Sequence, residues 1–349
     1  MTKPPAPGDQ RKPQAQDPVS RFPFPVSHLL WPALGIGLLA LLILAVGMGS
    51  VPLSPREVLA GLRGEAAPEV VAIVRSLRLP RALLAMLVGA GLGMAGAALQ
   101  GTLRNPLAEP YLLGVSGGAA VGAVLAVTLG WVAGALLPLA AFVGALGAVG
   151  AALTVARAAG GRSDPRVLLM AGVIIGAFAN AAIMVVLANA PPDKVRGALW
   201  WMMGSVSDAQ WSTVGWLAFY VTVGGGLLVW RGREIDVLAL GEEPAAALGL
   251  DVDRAAGRIF GIASLLAAAT VAAAGLIGFV GLVVPHLVRR AGVRRHRPLL
   301  FGAALAGGIL VVGADIAART LRPPSELPLG AITALIGVPF FLVQLARRA

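Results

Sequence analysis

Long apolar runs separated by short polar segments rich in arginine dominate this chain. A helix that spans a bilayer needs about 20 apolar residues. Runs of that order lie at 29–49, 82–100, 112–129, 131–156, 167–190, 211–230, 299–316 and 328–346. One further stretch, 259–288, is too long for a single straight span and short for two, and Gly275, Gly278, Gly281 and Pro285 interrupt it. Helices broken in this way are tolerated at membrane depth only where protein or a cavity surrounds the freed backbone groups. Ahead of the first run, residues 1–27 are polar and proline-rich, with Lys3, Arg11, Lys12 and Arg21. Such a segment buries too little apolar area to fold and is expected to be a disordered tail. The run at 29–49 is too long and too far from Met1 for a signal-peptide core, so an uncleaved helix is expected there.

The basic residues decide how often 259–288 crosses. Two crossings give ten helices, and with the tail inside they place roughly two thirds of the 28 Lys and Arg on the inner side. Those inner residues include Arg104, Arg157, Arg162, Arg166, Arg231, Arg233, Arg254, Arg258, the cluster Arg289, Arg290, Arg294, Arg295 and Arg297, and the terminal Arg347 and Arg348. One crossing would send the last seven of these outside and level the two sides. The positive-inside bias therefore favours ten helices with both termini cytoplasmic. One outer segment resists the rule, because Arg56, Arg63, Arg75, Arg78 and Arg81 all fall between the first two runs. Either it is a solvated loop offset by Glu57, Glu65 and Glu69, or it docks an acidic partner; charge alone does not choose.

Composition supports a membrane protein. The chain is 57% hydrophobic and 13% charged, where a soluble domain carries about 25% charged residues. Its 46 glycines suit membrane helices, which use small residues to bring backbones together. No cysteine is present, which excludes disulfides, thiolate metal sites and a cysteine nucleophile. The net charge of +11 is scattered between apolar runs without the aromatic interleaving of a single-strand binder, so no nucleic-acid partner is expected.

Two motifs mislead. Gly91-Leu-Gly93-Met-Ala-Gly96 matches a dinucleotide fingerprint, which requires a preceding strand. It lies instead inside an apolar helix, where Gly89, Gly93 and Gly96 are expected to form a packing face. Gly114-Val-Ser116-Gly-Gly118 matches a nucleophile elbow, whose chemistry needs a histidine base. Ser116, His286 and Asp315 would be the triad of an intramembrane hydrolase; glycines at a helix entry are the favoured reading. The motor is missing as well. A P-loop needs Gly-Lys followed by Ser or Thr, and none of Lys3, Lys12 and Lys194 follows a glycine. Gradient-driven carriers bury several ionisable residues near the midplane, whereas Asp315 is nearly alone within the apolar runs. This favours a partner motor over an ion gradient, with a gradient-driven secondary transporter as the alternative.

From the first helix to the C-terminus the sequence resembles the FecCD family of ABC-transporter permeases. The resemblance rests on Arg78-Leu-Pro-Arg81, Gly96-Ala-Ala-Leu-Gln100, Asn105-Pro-Leu-Ala-Glu-Pro110 and Leu113-Gly-Val-Ser-Gly-Gly118. It continues through Trp201-Met-Met-Gly204, Leu238-Ala-Leu-Gly-Glu242, the run Gly278 to His286, and Glu326-Leu-Pro-Leu-Gly330. Each motif is weak alone, and their joint order is specific. The family imports vitamin B12, ferric siderophores and haem, and the vitamin B12 branch is the nearest comparison. The resemblance implies an all-α integral membrane subunit of ten helices in the plasma (inner) membrane of a bacterium, paired with a second copy around an axial path. It further implies two cytoplasmic ATP-binding subunits, which hold the ATP and Mg, and an extracytoplasmic substrate-binding protein. The chain itself would be non-catalytic and bind no cofactor or metal.

The same resemblance assigns roles. Arg78, Arg81 and Arg319 match outer arginines that receive glutamates of the binding protein, a fit that forked charge-assisted pairs explain; snorkelling anchors are the plainer reading. In the inner segment 231–258, Leu238 to Leu250 reads as one short helix. It matches the family's coupling helix on the ATPase, with Leu238, Gly241, Glu242, Glu243, Ala246, Gly249 and Leu250 as contact residues; without the resemblance it would be a solvated loop. Ser163 and Asp164 occupy the cytoplasmic gate region. The helix at 167–190 would line the path, with Asn180 and Met184 facing it, a sparsely polar surface that releases as readily as it binds. Among chelates, a ferric siderophore or cobalamin is favoured over haem, because no histidine lies clearly on that path.

Overall fold

The structure is a computed structural model that describes residues 27–49, 51–158, 165–323 and 325–346. The gate candidates Ser163 and Asp164 and nearly all of the expected tail lie outside the described residues. Every regular element among the described residues is helical: α1 (Ser27–Gly47), α2 (Pro55–Arg63), α3 (Pro68–Ala72), α4 (Leu79–Thr102), α5 (Val115–Leu129), α6 (Leu136–Ala158), α7 (Pro165–Ala188), α8 (Pro192–Met202), α9 (Trp211–Trp230), α10 (Gly232–Leu238), α11 (Glu242–Ala247), α12 (Val252–Ala274), α13 (Val280–Arg290), α14 (His296–Thr320) and α15 (Leu329–Ala346). A π turn over Ile73–Arg78 joins α3 to α4, and a 3₁₀ turn over Pro110–Leu113 precedes α5. Seven of these stretches are long and apolar enough to cross a bilayer, and Val115–Leu129 and Leu329–Val343 are shorter apolar helices. The bundle has an upper end, where α4 begins, and a lower end, where α4 finishes.

α4 is the hub, with 83% of its most apolar window buried, against 11% for the peripheral α1. Its glycines explain that position. A Cβ at Gly89 would fall on the carbonyl of Gly307, one at Gly93 on the carbonyl of Ala303, and one at Gly96 on that of Gly281. These three positions are therefore where α14 and α13 press their backbones against α4, which gains dispersion contact that no larger residue would permit. The fingerprint glycines thus form a packing face, and no strand precedes them. α5 and α6 use the same device, since Gly118 and Gly144 each block a Cβ on the other with a carbonyl.

The ambiguous stretch resolves into α12, a non-helical break at 275–279, and the short α13. Gly275 opens the break at φ +69°, and a side chain there would meet Trp201 O. Phe279 closes it in the left-handed region, φ 68°, unusual for a residue with a Cβ. The backbone around the upper end of α12 finds partners: Ser205 N donates to Ala274 O (2.8 Å), Leu329 N to Gly204 O (3.1 Å) and Gly330 N to Met203 O (3.0 Å). This satisfies groups that lipid would leave stranded.

Three boundaries differ from the sequence reading. The segment at 50–81 is not a plain loop: α2, α3 and the π turn occupy it, because Ser54 and Glu57 form a reciprocal capping box and Pro55 and Pro68 start helices. Leu238 to Leu250 is not one helix but α10 and α11 with a turn between, since Gly241 adopts φ 121°, ψ 165°, which no helix accommodates. α12 begins at Val252, with Asp251 as N-cap accepting from Arg254 N, so 252–258 belong to the long helix.

Candidate functional site

Charged and polar groups gather in three places along the α4–α14 axis. At the upper end, α4 presents Arg81 and the π turn presents Arg78, while α14 presents Asp315 and Arg319 one turn apart. Arg81 is the centre of this cluster. Its Nη2 and Nε donate to Asp315 Oδ1 at 2.8 and 3.0 Å, and its Nη1 and Nη2 donate to Glu326 at 2.7 and 2.9 Å. The forked geometry is the strong form of the guanidinium–carboxylate pair. Asp315 is almost fully enclosed, whereas the Glu326 side chain, on the loop before α15, is 35% exposed. Arg78 is buried and donates to the carbonyls of Val46, Gly47 and Val51. Arg319 is buried too; its Nη2 donates to Ala45 O (2.8 Å) and its Nε lies 3.5 Å from Asp315. The three predicted arginines are thus brought together. They do not project freely: two close off the carbonyl end of α1, and the third is saturated by carboxylates. A cavity of about 250 Å³ reaches them, lined by Arg78, Arg81, Arg319, Glu326 and Ser207 among others.

Midway along the axis, two broken segments lock together. The chain leaves α4 through Arg104 in the left-handed region, turns at Asn105, whose Oδ1 accepts from Leu107 N, and runs back to the break before α13. There the Glu109 carboxylate accepts from Phe279 N at 2.8 Å. The Tyr111 hydroxyl accepts from Ile277 N (3.0 Å) and donates to Ile277 O (3.1 Å). Glu109 thereby supplies the start of α13 with an acceptor of favourable charge. Below this joint, Gln100 donates to the carbonyls of Gly281 and Leu282 at 3.2 Å and accepts from Arg289.

At the lower end, α10 and α11 hang beneath α4 and α14 by one ion pair and one histidine–aspartate hydrogen-bond pair. Arg104 donates to Glu242 (2.9 Å). Asp236 accepts from His296 N (2.9 Å) and lies 2.7 Å from His296 Nδ1. The His296 ring is wedged where a Cβ on Gly101 would stand. On α11, Ala245 is fully buried as the anchor. Ala246, Ala247, Leu248 and Gly249 face outward, as do the acids Glu242 and Glu243, and Leu240 and Leu248 are more than 60% exposed. Leu238 is buried and Gly241 sits in the turn, so these two shape the platform; Leu250 is half-buried behind it.

Asn180 and Met184 lie on an exposed stripe of α7 with Met170, Val173, Ile174, Phe178 and Val185, an apolar face that this chain leaves uncovered. The hydrolase triad does not assemble: Asp315 serves Arg81, and the His286 ring packs edge-on to Phe340. Among the described residues no group of His, Asp and Glu suits a metal ion. Sequence reasoning missed Asp236, His296, Glu109 and Tyr111 as contact makers. Two signals were available: His296 is one of only 3 histidines, and Glu109 is an acid inside a family motif. Asp236 carries no mark that sets it apart from its charged neighbours.

The model of the FecCD transport family matches residues 37–347. The cobalamin import system permease protein of Halobacterium salinarum is 44% identical over 276 residues, covering 79% of this chain and 74% of its own length. The hemin transport system permease protein of Yersinia pestis is 39% identical over 90% of this chain and 95% of its own. The Fe(3+)-citrate import system permease protein of Bacillus subtilis is 36% identical over 90% and 94%. Among solved structures, an ABC transporter assigned to the metal-chelate type, in an inward-facing conformation, superposes with a TM-score of 0.81 at 28% identity, over 92% of this chain and 99% of its own.

Proposed function

The chain belongs to the FecCD transport family, and from that premise we propose that it is the non-catalytic permease subunit of an ABC importer that moves a metal chelate into the cytoplasm. The observation that carries this reading is the lower platform. α11 exposes small and apolar residues beside two acids, while Arg104–Glu242 ties it to the turn that follows α4 and His296–Asp236 ties the adjoining α10 to the first residue of α14. A surface of that kind suits a motor subunit below, because a push on it is delivered to α4 and α14 rather than absorbed by a loop. In this reading the lower end is cytoplasmic, α13 completes the tenth crossing with its break at 275–279, and two ATP-binding subunits seat on α11.

The upper arginine cluster then faces a substrate-binding protein, whose carboxylates meet Arg78, Arg81 and Arg319. The uncovered stripe of α7 is the surface for a second copy of the chain and, with Asn180 and Met184, for the axial path. Ser163 and Asp164 are assigned to the gate at its cytoplasmic mouth. The cargo we favour is cobalamin or a ferric siderophore ahead of haem, since α7 carries no histidine to ligate a haem iron in passage. The docked binding protein and ATP favour different conformers, as alternating access demands.

Reconstitution tests this. The chain is placed in liposomes with its ATPase subunit, and uptake of radiolabelled cobalamin or a ferric siderophore delivered by the binding protein is followed. Uptake should require ATP on the platform side and stop when the ATPase is inactivated. Transport by the chain alone under an ion gradient would replace this reading with a secondary carrier.

A further inference from the structure

The upper cluster is an ion-pair network in which positive charge is in excess. Three guanidiniums, Arg78, Arg81 and Arg319, face two carboxylates, Asp315 and Glu326. Among the described residues Arg78 is bonded only to main-chain carbonyls, which do not neutralise it. Arg319 is more than nine-tenths buried, and its Nε–H has no hydrogen-bond acceptor among the described residues. Both line the same cavity of about 250 Å³, a volume sufficient for a carboxylate side chain. Buried guanidinium without a full complement of anionic partners is costly, so a carboxylate that reached Arg319 as well as Arg81 would be held better than Glu326, which bonds Arg81 and not Arg319.

The two carboxylates already present are unequal. Asp315 is fixed on α14 and enclosed at 2% exposure, and both Arg81 and Arg319 close over it. Glu326 stands on the loop between α14 and α15, is 35% exposed, and among the described charged groups pairs with Arg81 alone. Released from the fork, it would reach water with little rearrangement.

We propose that Glu326 is a place-holder for a carboxylate of a docking protein: the incoming acid takes over the fork on Arg81 and engages Arg319, and Glu326 swings out to solvent. Exchange of one carboxylate for another keeps the charge on Arg81 balanced throughout, so the cluster stays intact whether or not a partner is bound. Glu326 also sets the selectivity of the surface, because a partner without a well-placed acid gains nothing by displacing it. The inference rests on the docking role proposed for the three arginines.

The experiment measures binding of the substrate-free binding protein to the full complex in lipid nanodiscs, across salt concentrations. Glu326→Gln removes the competitor's charge and leaves its shape. It should lower Kd about tenfold and steepen the salt dependence, since one more unpaired cation then faces the partner. An unchanged or raised Kd overturns the exchange. Arg78→Gln with Arg319→Gln serves as the second arm: binding should weaken at least tenfold. If that arm shows no change, the docking role itself falls; if it weakens binding while Glu326→Gln does nothing, docking stands and the exchange alone is refuted. A third reading does not depend on affinity. The chain has no cysteine, so Ser325→Cys gives a single spin-label site beside Glu326. The label should gain mobility when the partner docks, and a label that is immobilised or unmoved contradicts release of the loop.

Discussion

One added methyl group at Gly89 tests whether the α4–α14 contact sets the geometry of the upper cluster. In Gly89→Ala the new Cβ falls on the carbonyl of Gly307 and lies 2.8 Å from Gly308 N; the reciprocal clash exists at Gly307. Both obstacles are backbone, so no rotamer change relieves them. Carbon atoms pack at about 3.5–4.0 Å, and the helices must therefore part by roughly 1 Å. α4 has no free side to retreat into, because most of its surface is buried. Overpacking of this kind costs about 1–3 kcal/mol. The consequence extends upward. Arg81 stands two turns above Gly89 on α4, and Asp315 stands two turns above Gly307 on the antiparallel α14, about 12 Å away along the axis. Parting the helices stretches the 2.8 Å contact between Arg81 and Asp315. The assay pairs thermal unfolding in detergent, followed by the fluorescence of the 7 tryptophans, with affinity for the binding protein. Gly89→Ala should lower both. Gly226→Ala is the control: it adds the same methyl in α9 where nothing lies within 4 Å, and should be neutral or slightly stabilising. If Gly89→Ala is as stable as Gly226→Ala, the close approach of the two helices does not hold the upper cluster in place.

Other perturbations address the remaining joints. Asp315→Ala leaves Arg81 and Arg319 buried with one carboxylate between them and should destabilise the chain by about 3–5 kcal/mol, measured by the same unfolding assay; a loss below about 1 kcal/mol would mean that water reaches the cluster. Tyr111→Phe strands both the N–H and the carbonyl of Ile277 and should cost about 1–3 kcal/mol, with faster hydrogen exchange confined to 275–279 by mass spectrometry. Ala246→Trp enlarges an exposed residue of α11 and should leave folding and binding-protein affinity unchanged while ATP hydrolysis no longer drives uptake; normal coupling would remove α11 from the motor interface. Asp236→Ala should uncouple in the same way, because it frees α10 from the start of α14, and unaltered stimulation of the ATPase by the binding protein would count against that link.

The sequence disclosed the spans because lipid imposes a length and an apolarity that few other environments demand. The ends of α9, Trp211–Trp230, coincide with the apolar run, and the glycines of α4 were legible as a packing face because small residues there have few other uses. The ion pairs were not legible. Arg81 and Asp315 lie 234 residues apart, and a charge beside a membrane run reads equally well as an anchor or as a socket. The turn at Gly241 was hidden for another reason: a glycine in an alanine-rich stretch is compatible with a continuous helix until its φ is seen. Glu109 sat inside a recognised motif and Tyr111 just after it, yet their partners are main-chain groups of Phe279 and Ile277, which carry no signature at all.

These joints share a feature that bears on how such a protein moves. Arg81–Asp315 at the upper end and the Gly89–Gly307 contact below it join α4 to α14, and at the lower end Arg104, just past α4, and His296, the first residue of α14, hold Glu242 of α11 and Asp236 of α10. Two antiparallel helices in backbone contact cannot slide without breaking that contact, and packed interfaces of this kind switch between discrete arrangements rather than deform smoothly. α4 and α14 therefore act as one rod whose ends carry the groups we propose to face partners. We place the compliant parts elsewhere: α13, only 11 residues long, entered through a break and held against α4 by backbone contact at the single position Gly96–Gly281, and α7, whose stripe is uncovered. On that assignment a displacement of α11 appears at the upper cluster as rotation of the rod, with α13 and α7 moving against it. A Cβ on Gly308 would lie 3.3 Å from Met86 Cγ, so a disulfide through Met86→Cys and Gly308→Cys joins α4 to α14 and should spare transport. Linking α13 to α4 with a short bifunctional reagent through Gln100→Cys and Arg289→Cys should instead abolish transport that the unlinked variant still shows, while ATP still binds. The opposite pattern would place the moving joint inside the rod and overturn this assignment.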